Sequence, residues 1–269
     1  MSTMRCACIT VAAMVISSPV AAQIADPNEA GISFSHVHLS VADAELHTAL
    51  WIDLFDAEVA ETAGFAAVRL PGALVFFAEQ APTAPSVGTA VNHFGFKVQD
   101  LAAVLAKWRA LGYEVDAEFM GGEGLPQAYI TMPNGARVEL TGDPEISTTA
   151  EMHHVHFYSS AYRDVLSWYR NMFGGTHRVR GTIETTLDVP GTNLSFSDSE
   201  ETVSPTQGTA VDHVGFEVED IEAFAEVLRS KGVEFLAEPF YVESLDTWVA
   251  FFADPAGALV EISQGLDRY

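Results

Sequence analysis

Residues 88–100 read GTAVNHFGFKVQD and residues 208–220 read GTAVDHVGFEVED. Four of the thirteen positions differ, and all four changes leave the apolar pattern intact. A self-match with His93 and His213 at the same place marks internal repetition, which governs the fold ahead of any local propensity. Two weaker relatives follow the same plan, FSHVHLSVADAE at 34–45 and MHHVHFYSSAYRD at 152–164. Each starts as an apolar strand of period two with a histidine near its beginning, then turns polar, then helical. The helical patterns fall at 45–55, 101–111, 162–173 and 221–231. They stop at Asp56, Gly112, Gly174 and Gly232, and glycine just past a last turn enters the left-handed region freely.

Short strand-like runs come after each helix, and a Pro and Gly turn precedes the last of them. The endings are LPGALVFF at 70–77, MPNGARVEL at 132–140, VPGTNLSF at 189–196 and DPAGALVEI at 254–262. Proline presets one turn dihedral and glycine supplies a positive one, so hairpin chemistry recurs in register. The unit is therefore strand, helix, three strands, and it occurs four times. Linkers rich in Pro, Ser, Thr and Gly lie at 80–88, 142–150 and 199–208.

Copies one and three resemble each other, as do copies two and four. One unit cannot bury its sheet face alone, so units must pair. The simplest expectation is one domain over 33–142 (units 33–79 and 88–142) and another over 151–265 (units 151–198 and 208–265), joined by a linker at 143–150. Each would be a curved eight-stranded mixed sheet around a cavity, with helices outside, an α+β fold.

These features resemble the vicinal oxygen chelate superfamily, which includes glyoxalase I, extradiol dioxygenases and the bleomycin- and fosfomycin-resistance proteins. The resemblance runs from about 33 to 263 and is carried by the HVxL and HxGFxV strand starts and the PxG-hydrophobic-E endings. It implies the βαβββ fold without naming a reaction. It also leaves open a crosswise pairing, in which the first and last units share a site and the middle two another.

Composition narrows the function. The 269 residues hold 13 Lys and Arg against 37 Asp and Glu, a formal net charge of −24. Such a surface repels phosphate backbones and anionic lipid, so neither nucleic acid nor a membrane is an expected partner. A small-molecule substrate is expected, with a homodimer as a further option. Residues 1–22, MSTMRCACITVAAMVISSPVAA, have a positive start at Arg5, a short apolar run and a small-residue end. That is the pattern of a secretory signal peptide cut after Ala22, followed by a linker at 23–32, and it predicts a periplasmic or secreted protein. Both cysteines, Cys6 and Cys8, precede the cut. The mature chain would have no disulfide and no thiolate, and losing Arg5 would take its charge from −24 to −25.

The first strands carry His36, His93, His154 and His213 at matching positions. The last strands carry Phe76, Glu139, Ser195 and Glu261, so only the even units place a carboxylate there. A glutamate in an apolar strand is costly to bury unless paired or metal-bound, and two imidazoles with one carboxylate form a facial triad. The resemblance implies the same ligands, His36, His93 and Glu139 in the first domain and His154, His213 and Glu261 in the second. They would hold a divalent metal among Fe, Mn, Zn, Ni and Co. His38 and His156 lie two residues on, hence on the same strand faces, and are candidate catalytic groups. The matching Gly95 and Gly215 would open space across from them. His47, His153 and His177 read as surface or local structural residues.

A metal in such a site polarises two neighbouring substrate oxygens, which serves either lyase and isomerase chemistry or oxygenase chemistry. The resemblance implies a second glutamate for glyoxalase-type sites, and Phe76 and Ser195 stand there. Two histidines and one glutamate is the extradiol dioxygenase pattern. That pattern also has a tyrosine ten residues before the glutamate, which Tyr129 supplies for Glu139, while Phe251 stands before Glu261. The earlier histidine of that signature is missing. Export and the lack of cysteine point away from thiol-linked lyases. A glyoxalase-like lyase or isomerase, and a non-catalytic binder like the bleomycin-resistance proteins, are the alternatives.

Overall fold

The computed structural model describes residues 24–269, so the leader read at 1–22 lies outside the described residues. Unit 1 holds β1 (Ile32–Val41), α1 (Ala44–Phe55), β2 (Glu58–Val59), β3 (Ala66–Leu70) and β4 (Ala73–Glu79). Unit 2 holds β5 (Val91–Val98), α2 (Leu101–Ala110), β6 (Val115–Met120), β7 (Pro126–Thr131) and β8 (Arg137–Gly142). Unit 3 holds β9 (Ala150–Tyr158), α3 (Tyr162–Phe173), β10 (Thr176–His177), β11 (Thr186–Val189) and β12 (Thr192–Ser197). Unit 4 holds β13 (Val211–Val218), α4 (Ile221–Ser230), β14 (Phe235–Val242), β15 (Thr247–Ala253) and β16 (Leu259–Gln264). The βαβββ plan is thus observed four times. The turn glycines Gly72, Gly135, Gly191 and Gly257 all take positive φ, which only glycine adopts freely. Among the described residues no helix is long and apolar enough to cross a membrane.

The units pair crosswise. One sheet runs β14-β15-β16-β13-β1-β4-β3-β2 and joins units 4 and 1; the other runs β10-β11-β12-β9-β5-β8-β7-β6 and joins units 3 and 2. The expected grouping of 33–142 and 151–265 as two separate sheets is therefore corrected. Either grouping joins one odd and one even unit through their first strands, so the repeat pattern does not choose between them. Helix packing does. Trp51 of α1 stacks on Phe94 of β5 and meets Phe96 edge-on, and Phe173 of α3 packs against Phe216 of β13. Sequential units thus face each other across one shared core rather than lying edge to edge.

Within each sheet the two first strands run antiparallel at the centre. His38 lies opposite His213 and His36 opposite Gly215 in one; His156 lies opposite His93 and His154 opposite Gly95 in the other. Each first strand is also parallel to its own unit's last strand, which sets Phe76 beside His38, Ser195 beside His156, Glu139 beside Gly95 and Glu261 beside Gly215. Every expected ligand therefore reaches the middle of a sheet.

Candidate metal centres

The sheet of units 1 and 4 gathers His36, His38, His213 and Glu261. One ring nitrogen from each of the three histidines lies within 4.8 Å of the others. His213 Nε2 is 3.0 Å and His36 Nε2 3.6 Å from Glu261 Oε2. The sheet of units 2 and 3 gathers His93, His154, His156 and Glu139 in the same way. There His93 Nε2 is 3.4 Å from Glu139 Oε2, and His154 Nε2 is 3.6 Å from Glu139 Oε1. The expected triads are thus recombined: His36 joins His213 and Glu261, while His93 joins His154 and Glu139.

The glycines do a different job from the one expected. A Cβ at Gly215 would land inside the His36 ring, and one at Gly95 would lie 2.5 Å from His154 Cε1. They make room for His36 and His154 themselves, not for His38 and His156.

Each proposed ligand is oriented by the residue just before it, which the sequence reading missed. The Nδ1 atoms of His36, His93, His154 and His213 lie 2.9, 2.9, 3.3 and 2.6 Å from Ser35 Oγ, Asn92 Oδ1, His153 Nδ1 and Asp212 Oδ1. Fixing one ring nitrogen this way turns the other toward the centre, as metal-binding histidines require. The signal was present as a polar residue before each histidine. His153, read as a surface or local residue, is buried against His154, and His47 is buried within α1. His177 is exposed.

Burial lowers the pKa of His36, His93, His154 and His156, so these rings are neutral and offer lone pairs near pH 7. Burial would lower His213 as well, but the carboxylates of Asp212 and Glu261 on its two sides raise it to about 9. Burial would raise Glu139 and Glu261, yet the adjoining histidines hold both below the ordinary glutamate value. His154 Nε2 is buried without a hydrogen-bond partner among the described residues. A buried, unpaired imidazole nitrogen facing a carboxylate is costly in an empty protein and is satisfied by a cation, so the donor set fits a divalent ion.

The two centres differ around this shared core. The centre of units 1 and 4 opens on a cavity of 340 Å³ walled by Phe65, Phe76, Phe240, Phe251, Val249 and Leu266, with His38 on its wall. Phe76 stacks on His38 with ring centroids 5.7 Å apart. The centre of units 2 and 3 is instead set among polar groups. Gln127 Nε2 donates to Glu139 Oε1 at 2.7 Å, Tyr129 lies opposite Glu139 in the β7–β8 register, and His156 Nε2 is 2.8 Å from Ser197 Oγ. Tyr129 is pushed up by burial and by Glu139, so it keeps its proton. Arg180 is buried there, with Nη1 3.2 Å from both Glu123 and His153 and Nη2 donating to Ser195 Oγ at 3.0 Å.

Residues 151–262 match the model of the Glyoxalase/Bleomycin resistance protein/Dioxygenase superfamily. No curated protein sequence matches the chain significantly. Among solved structures, glyoxalase I from Zea mays is 16% identical with a TM-score of 0.67, over 88% of this chain and 94% of the maize chain. A single-site mutant of the same enzyme scores 0.68 at 16% identity over the same shares. A Bacillus subtilis protein named provisionally as a dioxygenase is 12% identical with a TM-score of 0.65, over 91% of this chain and 86% of its own. At these identities the likeness to solved structures is one of fold. Residues 151–262 thus match the model of that superfamily, and the described chain as a whole, four βαβββ units paired crosswise in two sheets, has the fold of glyoxalase I.

Proposed function

We propose that the chain is an exported, divalent-metal-dependent enzyme acting on a small molecule with two neighbouring oxygens and an apolar body. The observation that carries this reading is the cavity of units 1 and 4, where three imidazoles and a buried carboxylate form the floor of a 340 Å³ space with aromatic walls. His36, His213 and Glu261 would hold the ion, which acts when bound as a Lewis acid toward the substrate oxygens. His38 is lowered well below its ordinary pKa by burial and by the neighbouring His213 and His36, so it is neutral and available to accept a substrate proton. Phe76, Phe240 and Phe251 bind an apolar or aromatic substrate body and exclude water around it.

An oxygenase is favoured over a thiol-linked lyase. The place of a second carboxylate is taken by Phe76, the mature chain as read has no cysteine, and an exported enzyme is poorly placed for cytosolic thiol cofactors. Tyr129 belongs to the other centre, so proton handling in this cavity falls to His38.

The test is to strip the mature protein, reload it anaerobically with Fe, Mn, Zn, Ni or Co in turn, and follow substrate loss and oxygen uptake on a panel of vicinal diols. Glu261→Ala should abolish turnover and remove metal. His38→Phe should retain metal and lower kcat by about 10²–10⁴. Turnover without oxygen would place the protein among the lyases and isomerases, and tight binding without turnover would make it a binder. Mass spectrometry of the exported fraction should find a chain starting at Gln23.

A further inference from the structure

We propose that the two centres bind metal unequally, and that Arg180 sets the difference by lodging a positive charge beside the centre of units 2 and 3. This rests on the metal reading above and goes beyond it by saying which centre fills first.

Three observations carry it. Arg180 is 2% exposed and donates to Ser195, the residue standing where a second carboxylate would complete a four-ligand site. Its Nη1 lies 3.2 Å from His153 Nε2, and His153 Nδ1 lies 3.3 Å from His154 Nδ1, so the guanidinium is two contacts from a proposed ligand. Among the described residues Arg180 Nε has no hydrogen-bond partner, so its charge is incompletely answered. Glu123 pairs with it at 3.2 Å, but that carboxylate is the more exposed partner, with a side chain 20% exposed against 1% for Arg180. The deeper charge is the less screened, and it opposes a divalent cation in a medium of low dielectric.

The centre of units 1 and 4 is arranged the other way. His213 is held by the Asp212 carboxylate at 2.6 Å, whereas its counterpart His93 is held by the neutral amide of Asn92 at 2.9 Å. Among the described residues no Lys or Arg lines its cavity. A carboxylate behind a histidine ligand raises its basicity and hence metal affinity, typically by 10- to 100-fold on mutation.

Titration of metal-stripped mature protein with Co(II), followed by visible absorption and calorimetry, should resolve a tight and a weak class differing at least about tenfold. Glu261→Gln should remove the tight class and Glu139→Gln the weak one. Arg180→Met should tighten the weak class about tenfold or more, while Arg180→Lys should leave it unchanged. Glu123→Gln should weaken it further, and decides the matter alone if Arg180→Met does not fold. Equal affinities, loss of the tight class with Glu139→Gln, or a weak class indifferent to Arg180 and Glu123 would overturn the proposal while leaving the metal reading intact. A protein that takes up no Co(II) at either centre would instead overturn the metal reading itself.

Discussion

Gly215 supports its centre as directly as His36 does. The His36 ring occupies the volume a side chain at 215 would need, and His36 is itself only 1% exposed, so the ring has nowhere to retreat. Gly215→Ala should therefore push His36 off its line to Glu261, at a stability cost of about 1–3 kcal/mol from overpacking. Metal analysis of the folded variant should show the centre of units 1 and 4 emptied and that of units 2 and 3 unchanged. A variant with full metal content would mean that His36 is not a ligand. The same geometry explains what the sequence could and could not reveal about single residues. Four histidines and two glutamates in register were legible, because strand periodicity and repetition fix which face a side chain takes. The cross-strand partner of each glycine was not, because it depends on which units share a sheet. Nor was Arg180, which reaches its centre from the stretch between β10 and β11, where no repeat pattern points inward.

Between elements, a second of the four differences in the repeated stretch, besides Asn92 against Asp212, has a structural consequence. Lys97 in β5 forms an ion pair with Asp143 at 2.8 Å; its counterpart in β13 is Glu217, which turns to the chain's last residues. Glu217 accepts from Ser263 Oγ at 2.7 Å and from the backbone N–H groups of Gly265 and Leu266. It thereby seats Leu266, which walls the cavity, and Tyr269 adds a bond from its hydroxyl to the carbonyl of Leu245 on the same wall. Burial raises the Glu217 pKa to about 7 in spite of those three donors. The folded state then favours the protonated acid, so stability contributed below pH 4.5 is lost as pH rises toward 7. Glu217→Gln keeps the accepting oxygen and removes the charge. It should leave stability near pH 4 unchanged and raise it by up to about 3 kcal/mol at pH 8, read from denaturant curves across that range. A constant difference between variant and parent at all pH values would show that Glu217 does not titrate with folding. The helices, by contrast, were almost fully legible from their apolar spacing and stops. Asp56 ends α1 in the left-handed region where the other three copies place glycine just beyond the helix.

For the molecule as a whole, the crosswise pairing makes the two halves of the sequence dependent on each other. Repetition revealed four units and an odd–even partnership, but not the partners, because choosing between them needs the helix contacts of Trp51 and Phe173. Cutting in the linker before β9 would leave units 1 and 2 in one fragment and units 3 and 4 in the other. Each fragment would then own half of each sheet and half of each centre. Unit 1 would lose the β13 edge of β1, unit 2 would lose the β9 edge of β5, and both strands would present unpaired backbone along an apolar face. A domain fold confined to consecutive units would survive such a cut as two folded monomers. The arrangement observed does not allow that. Separately expressed fragments 24–146 and 147–269 should be aggregated, unfolded or self-paired dimers, whereas co-expressed fragments should recover a one-to-one complex of native circular dichroism. Size-exclusion chromatography with light scattering distinguishes these outcomes, and a well-folded monomeric fragment of either half would contradict the crosswise sheets.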